Sequence, residues 1–255
     1  LGFVAALGEP HGARLLAFGG HPNLQAREVA FGVLAAGLLA RGSLRTTAAL
    51  AVIGGLGIGL SFSAGAWLAL VAAAGVLALR REHRGFVAAL LAGVLGGALL
   101  LSVAGHAKDS RLRSPATALQ GSAVEEIGSG RLVLWGHAVR IAAAHPVLGV
   151  GAGAFPAALE VVRPAFQRAG GEHTKPGRRS HSVYLDLLAE TGPLAVLLFL
   201  VPLGAALRAG WRDRDTVVLA LLAFVAVAAA TDSLLHQKAL WLALAVPCLA
   251  TGRRR

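Results

Sequence analysis

The residues best suited to chemistry stand in the segment HSVYLDLLAET, residues 181–191. His181 opens it, and Ser182, Asp186 and Glu190 recur every four residues, so on a helix they share one face. The segment leads into an apolar run, which puts the two carboxylates one and two turns inside a membrane boundary. Carboxylates there are costly and normally face a polar cavity or an arginine partner. The alternative is a boundary histidine with both carboxylates hydrated at a helix end. A second group lies upstream, where Arg131 opens RLVLWGHAVRIAAAH. Its guanidinium can grip a phosphate or carboxylate through a two-pronged fork, or snorkel to lipid headgroups. Arg163, Arg168, Lys175, Arg178 and Arg179 form a positive surface that either draws in an anionic group or is simply solvated. The run GVGAG, residues 149–153, has the glycine density of a phosphate loop. No strand precedes it and no GK[ST] closes it, so it reads as a tight turn between two helices.

The elements that must hold these residues are apolar. Hydrophobic residues make up 56% of the chain and charged residues 15%, with mean hydropathy +0.67, where a soluble domain carries about 25% charge. The apolar residues fall in blocks, expected as membrane spans near 26–40, 46–62, 65–79, 86–104, 187–207, 216–231 and 238–250. An apolar segment is already under way at Leu1 and the chain holds no Met, so it reads as the C-terminal part of a longer protein. Gly55 with Gly59, and Gly93 with Gly97, have the GxxxG spacing that lets membrane helices approach closely. Pro202 and Pro247 are tolerated kinks. The net charge of +11 does not mark a nucleic-acid binder, because no basic face with interleaved aromatics is present. The single cysteine, Cys248, excludes a disulfide framework or a zinc site within this chain.

The arginines instead mark topology. They cluster at Arg41–Arg45, Arg80–Arg84, Arg208–Arg214 and Arg253–Arg255, whereas the alternate short connections, Ser61–Ala64 and Asp232–Lys238, hold only Lys238. The positive-inside rule then places the Arg-rich linkers and the C-terminus in the cytoplasm, and residues 105–182 outside it. The expected fold is all-α: a single membrane domain over 1–255, a polytopic transmembrane helix bundle with one long extracytoplasmic loop, 105–182, containing short interfacial helices. Within that loop Gly105–Gly130 reads as irregular. Residues 131–145 read as a helix with Leu134, Ala138 and Ile141 on one face, Trp135 beside them, and Arg131, His137 and Arg140 around the rest. Tryptophan suits a helix at headgroup level. Pro146 ends it, a second short helix follows near 156–168, Gly170–Arg179 is a turn region, and a last helix starts near Ser180 and runs into the membrane through Leu187.

Taken together, RLVLWGHAVRIAAAHPVLGVGAGAF and, after a gap, HSVYLDLLAETGPLAVLLFL resemble the O-antigen ligase and O-antigen polymerase superfamily. The matching pattern is an Arg with a Trp four residues on, a helix, Pro-x-x-Gly-x-Gly-x-Gly-x-Phe, then a His-[Asn/Ser]-x-Tyr-Leu helix with Glu-x-Gly before a span. Gly20-His21-Pro22-Asn23 is similar to that superfamily's Asn-Pro-Asn element. One departure is Ser63-Ala64-Gly65, which aligns with a Ser-Arg-Gly element whose arginine contacts the donor pyrophosphate. The resemblance implies a membrane glycosyltransferase at the outer face of the bacterial cytoplasmic membrane. Its donor would be a glycan on undecaprenyl pyrophosphate, its acceptor a sugar hydroxyl on lipid A–core or on another lipid-linked glycan, as in lipopolysaccharide biosynthesis. It needs no metal or other cofactor, because pyrophosphate is itself the leaving group. His181 and Arg131 would be catalytic, the first as base for the hydroxyl and the second on the pyrophosphate, with Arg140, Tyr184 and Glu190 binding substrate. The competing readings are a non-enzymatic transporter or assembly protein, and an inactive family member carrying Ala64.

Overall fold

The structure, a computed structural model, describes residues 22–39, 44–61, 63–103, 131–162, 178–233, 241 and 245. The expected irregular stretch 105–130, most of the turn region 170–179, most of the span expected at 238–250, and Arg163, Arg168, Lys175 and Cys248 lie outside the described residues. Among the described residues every regular element is helical and none is a strand. The chain divides into two compact units, one of Leu1–Leu112, Ala205–Ala228 and Trp241–Arg255, the other of Arg113–Gly204 and Ala229–Leu240.

In the first unit, helices α1 (Pro22–Leu39), α2 (Leu44–Ser61), α3 (Ala64–Ala78) and α4 (Arg84–Val103) follow the apolar blocks, each starting one to four residues earlier than expected. The two GxxxG pairs meet. A Cβ on Gly55 would stand 3.0 Å from Gly93 Cα, and one on Gly59 3.0 Å from Gly97 Cα, with backbone carbonyls nearer still. The register 55–93 and 59–97 makes α2 and α4 parallel, as the antiparallel passage through α3 requires. Small residues here replace the hydrophobic drive that lipid does not supply.

The turns are built from polar side chains. Ser63 caps α3 by accepting from the Ala66 N–H, and the Trp67 indole donates to the Ile58 carbonyl at 3.1 Å. Ala64, where the resemblance expects arginine, is the first residue of α3 and is exposed. Arg84 Nε donates to the Ala78 carbonyl at 3.0 Å, meeting an orphan acceptor of the α3 end. Arg80 Nη2 donates to the Arg214 carbonyl at 3.3 Å, so the two Arg-rich linkers 80–84 and 208–214 stand side by side.

The second unit is built on α5 (Arg131–Ala144), α6 (Phe155–Val162) and α7 (Val183–Thr191). Leu134, Ala138 and Ile141 of α5 do share a buried face, closing on Phe155 and Leu159 of α6 and Ala189 of α7. Burying each larger side chain in this cluster stabilises it by about 1.5–3 kcal/mol. His137 departs from the sequence reading: it is 4% exposed, on the packed side of α5 and not on its polar surface. The glycine run does turn the chain between α5 and α6, with backbone bonds from Val150 N–H to the Ala189 carbonyl at 3.0 Å and from Gly151 N–H to the Glu190 carbonyl at 2.8 Å. Gly149 has φ +64, and a Cβ there would strike the backbone of Glu190.

A further correction concerns the helix expected to run from Ser180 into the membrane. It stops at Thr191. Gly192 takes φ 81, ψ 179, a conformation essentially reserved for glycine, and Pro193 begins a separate helix, α8 (Pro193–Arg212), at the position proline favours. Arg214, at φ 51, turns the chain into α9 (Thr216–Thr231), whose first turn is capped by Asp215 Oδ1 on the Val217 and Val218 N–H groups. Among the described residues, two helical stretches, Arg81–Leu100 and Pro193–Arg212, are long and apolar enough to cross a membrane, and Arg45–Ser61, Ala64–Ala78 and Thr216–Thr231 are shorter apolar helices.

Candidate functional site

His181 stands just before α7 and not within it. Its φ of 57 places it in the left-handed region, uncommon for a side-chain-bearing residue. Its neighbours are tied to one another: Ser180 Oγ donates to the Ser182 carbonyl at 2.9 Å and accepts from the Ser182 N–H at 3.1 Å. The His181 N–H donates to Ser233 Oγ at 3.0 Å. Its ring Nδ1 lies 3.0 Å from Asp232 Oδ1, which also accepts from the Ser233 N–H at 2.9 Å. A carboxylate can only accept, so neutral His181 carries its proton on Nδ1 and keeps a lone pair on Nε2. The His181 side chain is 36% exposed and that of Asp232 19%, so the ring has an open side while its anchor is mostly enclosed.

The carboxylates of α7 are not hydrated at a helix end. Ser182, Asp186 and Glu190, at the four-residue spacing, are 3%, 0% and 5% exposed. Asp186 Oδ1 accepts from the Ser180 N–H at 3.1 Å. Glu190 accepts from the Gly153 N–H on Oε2 at 2.9 Å and from the Phe155 N–H on Oε1 at 3.2 Å, with Arg179 Nη1 3.6 Å from Oε1. Both Glu190 oxygens are therefore engaged in holding the glycine turn and the start of α6. Tyr184 is half-buried, edge-on to Phe199 at 5.9 Å between ring centroids. Burial pushes its phenol above the usual value, so the hydroxyl stays protonated.

Arg131 is the first residue of α5 and half-buried. Seven residues make almost two whole turns, so it stands in line with buried Ala138, on the packed face and not on the solvated one. Helices α5 and α7 pack on one another, and their C-terminal ends meet at the 147–151 turn, where a Cβ on Gly192 would strike Val147. Arg131 and the residues around Ser182 thus both belong to the N-terminal ends of this helix pair. Arg140 is exposed, nine residues and two and a half turns from Arg131, and so on the opposite face of α5.

Asp232 and Ser233 were missed in the sequence. The available signal was a carboxylate at the far end of the span 216–231, on the membrane face assigned to His181 by the alternation of linkers.

Fold and site define an integral membrane protein, all-helical where described, that carries a hydrogen-bonded His–Asp pair. The O-Antigen ligase family, Wzy_C, matches residues 49–200, and the chain belongs to it. That range takes in Arg131, the glycine turn and His181, and stops short of Asp232. The family's activity is of the O-antigen ligase or polymerase type, that of a membrane glycosyltransferase-like protein. No curated protein matches the chain significantly.

Proposed function

We propose that the chain transfers a glycan from a polyprenyl-pyrophosphate carrier to a sugar hydroxyl at the outer face of the cytoplasmic membrane. The observation that carries this reading is the His181–Asp232 pair, which holds the ring through Nδ1 and leaves Nε2 as the nitrogen not taken up by that bond. Nε2 takes the proton of the acceptor hydroxyl as its oxygen attacks the anomeric carbon. The bond from that carbon to the pyrophosphate oxygen breaks, and the pyrophosphate leaves with the electron pair on its lipid carrier. A single displacement inverts the anomeric centre. Asp232 holds the ring and stabilises the imidazolium that forms, the role a carboxylate plays behind a catalytic histidine elsewhere. Arg131, on the packed face of α5, is assigned to the leaving pyrophosphate, whose growing charge needs fixed positive charge.

Tyr184, kept protonated, offers a sugar hydroxyl a neutral phenol and adds no charge against the pyrophosphate. Glu190 acts on the architecture, and Arg140 is left out of the clamp. The orientation rests on α9, which begins beside the Arg-rich linker and ends at Asp232, about 24 Å away at 1.5 Å per residue. With the arginines on the cytoplasmic side, Asp232 lies toward the other face. The central test is transfer by the chain in lipid nanodiscs supplied with a polyprenyl-pyrophosphate glycan and a glycan acceptor. His181→Ala lowers turnover by roughly 10²–10⁴-fold; turnover equal to wild type removes His181 as the base. Reporter fusions after Ala118 and after Arg255 test the orientation: cytoplasmic activity from the first rejects it.

A further inference from the structure

Asp186 is fully buried, engages one oxygen, and has no part in the transfer step described above. Its Oδ1 accepts from the Ser180 N–H at 3.1 Å, and its Oδ2 has no hydrogen-bond partner among the described residues. A wholly buried carboxylate with a bare oxygen is expensive, and packing alone would be better served by an apolar side chain. What Asp186 does is close a ring of bonds around His181. Ser180 is bound to Asp186 through its N–H and to Ser182 through its hydroxyl, in both directions. The Ser182 carbonyl accepts from the Asp186 N–H at 2.9 Å, the first turn of α7. His181 stands inside this ring at φ 57. A left-handed conformation at a residue with a Cβ costs energy and persists only where its surroundings over-determine it.

We propose that Asp186, acting through Ser180, is a positioning residue for His181: it holds the backbone at residues 180–182 in the shape that lets the ring reach Asp232. This rests on the reading of His181 as the base. Asp232 and Ser233 grip His181 from one side, and the Ser180–Asp186 frame from the other. The ring can hold its bond to Asp232 only while both grips persist. Displacing a reacting group by 1 Å costs about 10²-fold in rate, so a frame of this kind has kinetic weight although it touches no substrate.

The test uses the full chain in lipid nanodiscs, with turnover expressed per mole of correctly inserted protein. Asp186→Ala removes the acceptor and is expected to be about 10- to 100-fold slower. Asp186→Asn keeps an acceptor oxygen for the Ser180 N–H and is expected to restore most of that loss. Ser180→Ala, which unties Ser182 while leaving Asp186 intact, is expected to be slow as well. The double variant His181→Ala/Asp186→Ala is expected to be no slower than His181→Ala, because the frame has nothing left to position. Wild-type turnover in Asp186→Ala or in Ser180→Ala, equal losses in Asp186→Ala and Asp186→Asn, or a further loss in the double variant each overturns the proposal. The two readings separate: fast His181→Ala defeats the base assignment, whereas slow His181→Ala with fast Asp186→Ala defeats only the frame.

Discussion

Removing the Asp232 carboxylate is the sharpest probe of the site, because that group bonds directly to the histidine ring. One oxygen, Oδ1, receives both His181 Nδ1 at 3.0 Å and the Ser233 N–H at 2.9 Å. On the proposed mechanism Nε2 takes up a proton in the transition state, and the bond to Nδ1 becomes one between imidazolium and carboxylate. Such a charge-assisted bond is worth about 1.5–3 kcal/mol, and about 1.4 kcal/mol is tenfold in rate. Asp232→Ala is therefore expected to slow turnover by about 10- to 150-fold at saturating donor, with little change in donor affinity. Asp232→Asn retains an oxygen acceptor but loses the charge, and should fall between alanine and wild type. The assay follows appearance of the glycosylated acceptor by mass spectrometry in nanodiscs, with Ser233→Ala as the control for lost backbone support alone. Full turnover in Asp232→Ala, in a preparation where His181→Ala is slow, would refute the argument that the pair acts as a unit.

Arg131→Lys should reduce transfer at least tenfold, since an ammonium cannot reproduce the guanidinium fork, whereas Arg140→Ala on the opposite face should stay within about twofold; the same turnover assay reads both. Gly97→Val should separate α2 from α4, because a Cβ there stands 3.1 Å from Gly59 Cα, lowering stability by about 1–3 kcal/mol or more; Gly75→Ala, with nothing within 4 Å of the added carbon, should be silent in the same thermal-unfolding measurement. Gly192→Ala should destabilise the second unit by about 1–3 kcal/mol from backbone strain alone, with a further clash against Val147, seen as faster proteolysis of residues 131–191.

What could be read from the sequence was local. The GxxxG pairs were visible because their spacing lies within single helices, and the α5 face because 134, 138 and 141 follow one stripe. The α7 carboxylates were placed on a shared face for the same reason. The break at Gly192 was hidden because apolar residues continue on both sides of it, and a hydropathy pattern does not register a backbone dihedral. His137 looked like a surface residue because its polarity says nothing about which neighbour encloses it. Asp232 was not recognised as the partner of His181 because three helices separate them in sequence and only the folded chain closes that distance.

The pairing of His181 with Asp232 also bears on how the protein is made. The two residues are 51 apart, and at about 5–20 residues per second the ribosome needs roughly 3–10 s to reach the second after the first. Helices α7, α8 and α9 all lie between the two. A nascent chain halted at any earlier point carries the histidine without its anchor, however well the preceding helices have assembled. On the proposed mechanism the full rate of transfer thus waits on the last part of the chain to be made, and a chain truncated ahead of Asp232 is expected to be at least as slow as Asp232→Ala.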